Sequence, residues 1–272
     1  MKKNFIFLLL LILSLTMTFA QEFQGKAYYT SKTKLDANFG KNIPPERKQR
    51  IIDRMKSNME KNYELDFSST ASLFYEEERL DVSGGGGRFN FMSYMNPFQG
   101  ILHKEFSTKT FTNRVELFGK IFLIKDSLID VKWVLSGESK QIGNYTVYKA
   151  TTSKEVYQQI FQFGRQSDQE SKPKTRKVNI TAWFTPQIPV STGPAKHGGL
   201  PGLILEVNTD NTNMLCTKVV LNPKEKMKIK ISNKGTVVNV EEYNKIRTDK
   251  IKQMREMYRG NRTQGGGRFR SR

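Results

Sequence analysis

The chain has 272 residues, 45 Lys and Arg against 26 Asp and Glu, two His and one Cys. A single cysteine excludes an internal disulfide, so stability must come from a packed core rather than from stapling. The formal charge of +19 bears on partners and solubility, not on fold. It points to an anionic membrane surface, acidic proteins or polyanions.

Residues 1–20 read as a signal peptide. Lys2 and Lys3 form a charged start, Phe5 to Leu13 is an unbroken apolar run, and Thr18-Phe19-Ala20 is a small-x-small cleavage site. The apolar run is shorter than the roughly 20 residues a spanning helix needs, and no later stretch is long and apolar enough to span. The expectation is therefore a periplasmic or otherwise exported protein, soluble or peripheral after cleavage between Ala20 and Gln21. Without Lys2 and Lys3, 43 basic residues face 26 acidic ones, a net +17. Nucleic acid is the usual partner of so basic a chain, but an exported protein rarely meets it, so no nucleic acid is expected. About 250 residues remain, enough for one large core.

Taken in order, residues 24–34 (QGKAYYTSKTK) read as a strand. Pro44, Pro45 and Glu46 open a helix. Over residues 47–63, Ile51, Ile52, Met55 and Met59 fall at helical spacing opposite a basic face. This helix covers a sheet; the sharper alternative, a helix docked on a membrane or acidic partner, is weakened by its narrow stripe without aromatics. Residues 64–76 alternate as a strand pair or one long strand. Glycines at 84–87 mark a loop, followed by Arg88, Phe89, Phe91 and Met92.

From 102 to 125 the alternation is regular, with turns at Gly119 and Asp126-Ser127. Ile129, Val131, Trp133 and Leu135 alternate again, and 140–151 reads as a further strand. Residues 154–163 are ambiguous, and 167–177 read as a polar loop around Pro173. Residues 178–184 (VNITAWF) are a strand. Residues 203–207 and 214–221 form a hairpin across Asp210-Asn211, and 227–231 is one more strand. Residues 241–258 form a helix with Tyr243, Ile246, Ile251, Met254 and Met257 as its apolar set. Residues 259–272 are a Gly/Arg-rich tail expected to be disordered. Gly-Gly-Gly-Arg-Phe occurs at both 85–89 and 265–269. Closely spaced strands without regular strand–helix alternation exclude a doubly wound parallel sheet. The fold class is α+β, mostly antiparallel β. The expected shape is a curved meander sheet or half-barrel with an N-terminal and a C-terminal amphipathic helix. Residues 21–258 make a single β-rich domain, similar to periplasmic lipoprotein carriers in which helices cover an apolar concave face.

The sequence carries no Gly-x-Ser-x-Gly elbow, phosphate-binding loop, His-Glu-x-x-His or Cys-x-x-Cys. The stretch His197-Gly198-Gly199-Leu200-Pro201-Gly202 only superficially resembles a nucleotide loop, because its spacing is wrong and Pro201 sits where a helix would start. No catalytic residue, cofactor or metal is therefore assigned. His103, His197 and Glu206 are the candidate metal ligands, though nothing in their spacing fixes a geometry. A hydrolase would need Ser191 or Cys216 with His197, and an inert buried thiol is the plainer view of Cys216. Proline fixes φ and glycine frees it, so the segment holding Pro186, Pro189, Gly193 and Pro194 has a specified path. Candidate ligand- or partner-binding residues are Pro189, Gly193, Pro194, His197, Leu200, Pro201 and Leu203. Residues 186–197 are the exposed approach, and the motif from Leu200 onward feeds a core strand.

Residues 199–204, Gly-Leu-Pro-Gly-Leu-Ile, match the signature of the GLPGLI family. Trp133-Val134-Leu135, Ile142, Tyr145, Lys149-Ala150, Ala182-Trp183-Phe184-Thr185, Ile188-Pro189 and Gly193-Pro194 precede it in order. The chain is similar to that family over roughly residues 100 to 222. The resemblance implies an exported Bacteroidota protein without a settled activity. It also implies an outer-membrane partner, a TonB-dependent transporter by association. Relatives often carry Cys near the position of Val147, so no thiol role is carried over. The expected function is a non-catalytic periplasmic binding or accessory protein of the outer membrane, partnering such a transporter or carrying an apolar ligand.

Overall fold

Alternation of buried and exposed side chains sets the architecture. The computed structural model describes residues 23–34, 43–77, 98–158, 174–225 and 227–264. The leader, the glycine loop with its aromatics, residues 167–173 and both Gly-Gly-Gly-Arg-Phe motifs lie outside them. In β1 (Gln24–Thr33) Ala27, Tyr29 and Ser31 are buried, while Lys26, Tyr28 and Thr30 are half-exposed. Period two puts the first set on the core face.

Two antiparallel meanders share one sheet. The first runs through β1, β2 (Glu60–Ser68), β3 (Ala71–Glu76), β4 (Ile101–Glu105), β5 (Thr110–Leu117) and β6 (Lys120–Ser127). The second runs through β7 (Val134–Ile142), β8 (Tyr145–Gln158), β9 (Lys174–Thr185), β10 (Leu203–Asn208) and β11 (Thr212–Leu221). They join where β11 pairs antiparallel with β1. A short β12 (Thr236–Val238) lies parallel on β6. The sheet is open, with β12 and β7 at its edges.

Residues 128–133 cross from β6 to β7, at opposite ends of the sheet. Ten strand spacings of ~4.8 Å would separate these strands by roughly 48 Å if the sheet were flat. The connection can reach only about 25 Å fully extended. The sheet therefore curves. One cluster on the inner face draws Tyr29, Leu65, Phe74 and Phe111 from the first meander and Met214 and Cys216 from the second. Ile188, Val190 and Ala195, from the long β9–β10 connection, complete it.

Two helices flank the sheet. Pro45 and Glu46 start α1 (Pro45–Met59), in which Ile51 and Ile52 are half-buried. In α2 (Val240–Gln264) the start is a reciprocal cap. The Asn239 amide donates to Glu242 Oε2 and the Glu242 amide donates to Asn239 Oδ1, each at 2.9 Å. The helix buries Tyr243 and Ile251, and Tyr243 meets Phe122 edge-on at 5.8 Å.

Several expectations are corrected. Residues 128–133 are a crossing rather than a strand, because they must span the sheet. Residues 140–151 are not one strand: Gly143, with φ 57°, and Asn144 turn β7 back into β8. The first helix stops at Met59, and Tyr63 belongs to β2, stacked on Phe74 at 5.0 Å. Residues 174–177 extend β9, and β8 runs on to Gln158. Residues 227–231 form no strand among the described residues, and β12 takes the β6 edge instead. Leu65 is fully buried at the centre of the curve, so Leu65→Ala is expected to lower stability by about 2–5 kcal/mol, read as a fall in the urea midpoint without a change in slope.

Candidate functional site

The connection from Thr185 to Leu203, residues 186–202, is a strap that lies inside the curve. Its apolar residues pull it there: Ile188, Val190, Pro194, Ala195 and Leu200 are all buried. It runs along β10, whose Leu203 and Ile204 amides donate to Ile188 O and Thr192 O at 3.0 Å. Close approach dictates two glycines. A Cβ on Gly193 would sit 2.6 Å from the Cβ of Ile204, and one on Gly202 would run into the Thr185 carbonyl.

Three side chains tie the strap down, and a fourth, Tyr29, holds β10 beside it. Lys104 on β4 is 2 % exposed, and its Nζ donates to Gly193 O and His197 O, both at 2.9 Å. The Ser72 and Thr192 hydroxyls meet at 3.2 Å. Tyr29 Oη donates to Ile204 O at 2.7 Å, and Trp133 Nε1 donates to Gly198 O at 2.9 Å. Outside these, Lys196 places its amine 4.1 Å over the Phe111 ring. No carboxylate forms an ion pair with Lys104 among the described residues, and burial pushes its amine down to about 7.

This placement sorts the candidate residues. Leu200 and Leu203 are core, as are Ile204 and Leu205, so the apolar part of the signature lines no open surface. Gly193 and Pro194 are buried, Pro189 and Pro201 exposed, and His197 half-buried. The approach at 186–197 is thus exposed only in part: Pro186, Gln187, Pro189, Ser191 and Lys196 face out, while Ile188, Val190 and residues 192–195 turn into the core. Burial, with the charges of Lys154 and Lys104 adding to it, pushes the His197 imidazole down to about 3, so it is neutral at ordinary pH.

The metal candidates are not brought together. His103 alternates with inward Leu102 and Lys104 and so points to the outer face, whereas the strap carrying His197 lies inside. Glu206 accepts from Lys140, Asn208 and Asn213. Burial pulls its carboxyl up, but these hydrogen bonds outweigh it and hold it below its usual value. No three His, Cys, Asp or Glu residues cluster as metal ligands among the described residues. The hydrolase set fares similarly. Neither Ser191 nor Cys216 hydrogen-bonds the His197 ring among the described residues. Burial pushes the Cys216 thiol up to about 12, and its Sγ donates to Lys218 O at 3.4 Å.

A second feature had no motif. Pairing of β7 with β8 ends at Val134 opposite Thr151, while β8 continues to Gln158 paired with β9 alone. There a groove of about 510 Å³ opens between Lys132 and Val134 on one side and residues 151–153 and 179–181 on the other. Val134, which lines it, and Leu135, next in the chain, are 65 and 60 % exposed, and Ile129 on the crossing is 87 % exposed. The alternation of Ile129 to Leu135 made them look like core. Lys104 was also missed, although its place two residues from Leu102 in a strand pattern signals an inward-facing charge.

Comparison with known proteins bears on this half of the sheet. A family model described as a protein of unknown function (Porph_ging) matches residues 133–206, from the crossing tryptophan through the strap to β10. No curated protein matches the chain. Two solved structures, described as PNGF-II in C2 and in P21 space groups, superpose with TM-scores of 0.49 and 0.48 at 14 % identity. They cover 83 and 82 % of this chain, which spans 32 % of the length of each. No helix among the described residues is long and apolar enough to cross a membrane.

Two outcomes follow from the strap's chemistry. Lys104 has a folded value of about 7 against 10.5 for a free lysine, so over that window the unfolded chain binds more protons and stability rises with pH. The wild-type urea midpoint should therefore gain on that of Lys104→Met from pH 7 to pH 10; parallel profiles would contradict a depressed amine. Cys216 should resist a thiol reagent in the native protein and react fully in urea. Prompt native labelling would reopen a nucleophilic role.

Proposed function

We propose that the chain is an exported accessory protein of the cell envelope, of the GLPGLI family, that works without catalysis by holding a partner protein. The leader at 1–20 supports export to the periplasm. The ordered motifs from Trp133 to Ile204 support the family, and the match at 133–206 covers the same strands. We take the curved open sheet to be a half-barrel.

The observation that carries this reading is the strap. In a half-barrel carrier the concave face would receive an apolar ligand. Here Ile188, Val190, Ala195, Leu200 and Leu203 occupy that face, which favours a partner protein over a carried lipid. Binding then falls to the outside. There the start of β7 exposes Val134 and Leu135, and exposed apolar side chains favour protein contact. The resemblance makes an outer-membrane protein, a TonB-dependent transporter among them, the candidate partner.

Cell fractionation and affinity capture with the chain from residue 21 onward test this reading. The wild-type protein should fractionate with the envelope and retain discrete outer-membrane proteins. Val134→Asp combined with Leu135→Asp should lose them while its stability changes by no more than about 0.5 kcal/mol. Cytoplasmic recovery would refute export, and retention of the same proteins by the variant would refute this surface.

A further inference from the structure

We propose that the free end of β8 takes up an extended, acidic segment of a partner protein as an added strand, with Lys132 and Lys154 pairing its carboxylates. The inference rests on the envelope-partner reading and names the chemistry of that partner. Residues 152–158 of β8 have a ladder on the β9 side only. Every second residue there turns its N–H and C=O toward the open side, which is a template for another strand.

The two halves of this sheet edge are treated differently. Along β7 the register with β8 breaks between Leu135 and Ser139, and Gly137 is left-handed with φ 75°. A break of this kind twists an edge away from further pairing. The end of β8 keeps a regular register with β9, from Tyr148 opposite Phe184 to Gln158 opposite Lys174. The groove beside it carries Thr151, Ser153, Asn179 and Thr181. These side chains lie on one face of β8 and β9 flanking the open edge, and Val134 offers an apolar contact for alternate side chains of the incoming strand.

Charge selects the occupant. Lys132, Lys154 and Lys177 are exposed and make no ion pair among the described residues. Of the acidic groups nearby, Asp130 and Glu138 are already held by Lys109 and Lys149, which leaves Glu155. Lysines on an open edge repel most chains, and the same lysines attract an acidic one and raise its rate of encounter.

The probe is a synthetic peptide of alternating Glu and Val, about nine residues long, near the length of an ordinary strand. Binding to the chain from residue 21 onward is measured by fluorescence anisotropy at low salt. Lys132→Glu with Lys154→Glu should weaken it by about tenfold or more, and so should N-methylation of alternate peptide residues, which removes the ladder donors. Equal binding of the N-methylated peptide, or of a Lys/Val peptide, would overturn strand addition or charge selection respectively. A variant with the charge reversal confined to Lys245 and Lys252 on α2 controls for net charge and should bind like wild type. No binding of the acidic peptide, with envelope proteins still captured by the wild-type chain, would overturn this site and leave the envelope reading standing.

Discussion

Lys104 brings its amine from β4 into the core and gives two of its protons to the backbone of a segment that belongs to the other half of the sheet. The arrangement is unusual because a buried charge is normally paired with an opposite one. Here the partners are two carbonyl dipoles, and removal of the charge by deprotonation leaves the hydrogen-bonding geometry in place. The bonds also satisfy Gly193 O and His197 O, which would otherwise be isolated inside the curve. An apolar side chain at this position would fill the space but leave both carbonyls unmet, at a cost of about 1–3 kcal/mol each. Among the described residues the two meanders share one ladder, β1 with β11, and the strap adds a further link between them.

The curve depends on that link and on the crossing at 128–133. The crossing sets an upper limit on how far the sheet ends can separate, and the strap sets a lower limit on how closely the inner faces can collapse. Trp133 connects the two, since its indole sits on the crossing and donates to the strap at Gly198. Neither element is regular secondary structure, yet together they define the inner volume that the twelve strands enclose. Gly193 and Gly202 are needed for the same reason: the strap lies so close to β10 and β9 that no side chain fits between them.

Much of the strand content was legible because alternation is a local signal. Leu65, Phe67, Val115 and Leu117 declare their face within a few residues of sequence. The buried nature of Leu203 to Leu205 was legible too, since three apolar residues in succession imply a strand covered on both faces. The errors share a cause: they concern residues whose state depends on something distant. Ile129 and Val131 alternate like a strand, but the demand to cross the sheet decides their conformation. Met227 to Ile231 alternate as well, yet the β6 edge goes to β12 further along the chain. The strap looked like an exposed loop because Pro and Gly usually mark one, and only its contact with β4, about ninety residues earlier in the chain, turns it inward. For the candidate binding edge there was no local signal at all, because an edge is defined by the length of a neighbouring strand.

The joining ladder has a consequence for how the chain matures. Tyr29 pairs with Cys216, so the first strand to be synthesised waits for nearly the last. Until then β1 is covered on one side by β2 and bare on the other, with Ala27 and Tyr29 turned toward a half-built interior. Contacts this far apart in sequence form slowly, and a bare strand edge is prone to pair with the wrong chain in the meantime. The first meander, whose neighbours are all consecutive, can assemble early and hold β1 in shape. Lys26 and Lys32 of β1 pair with Glu64 and Glu60 of β2, so β1 can be fastened to its early neighbour while the sheet is still half its final width.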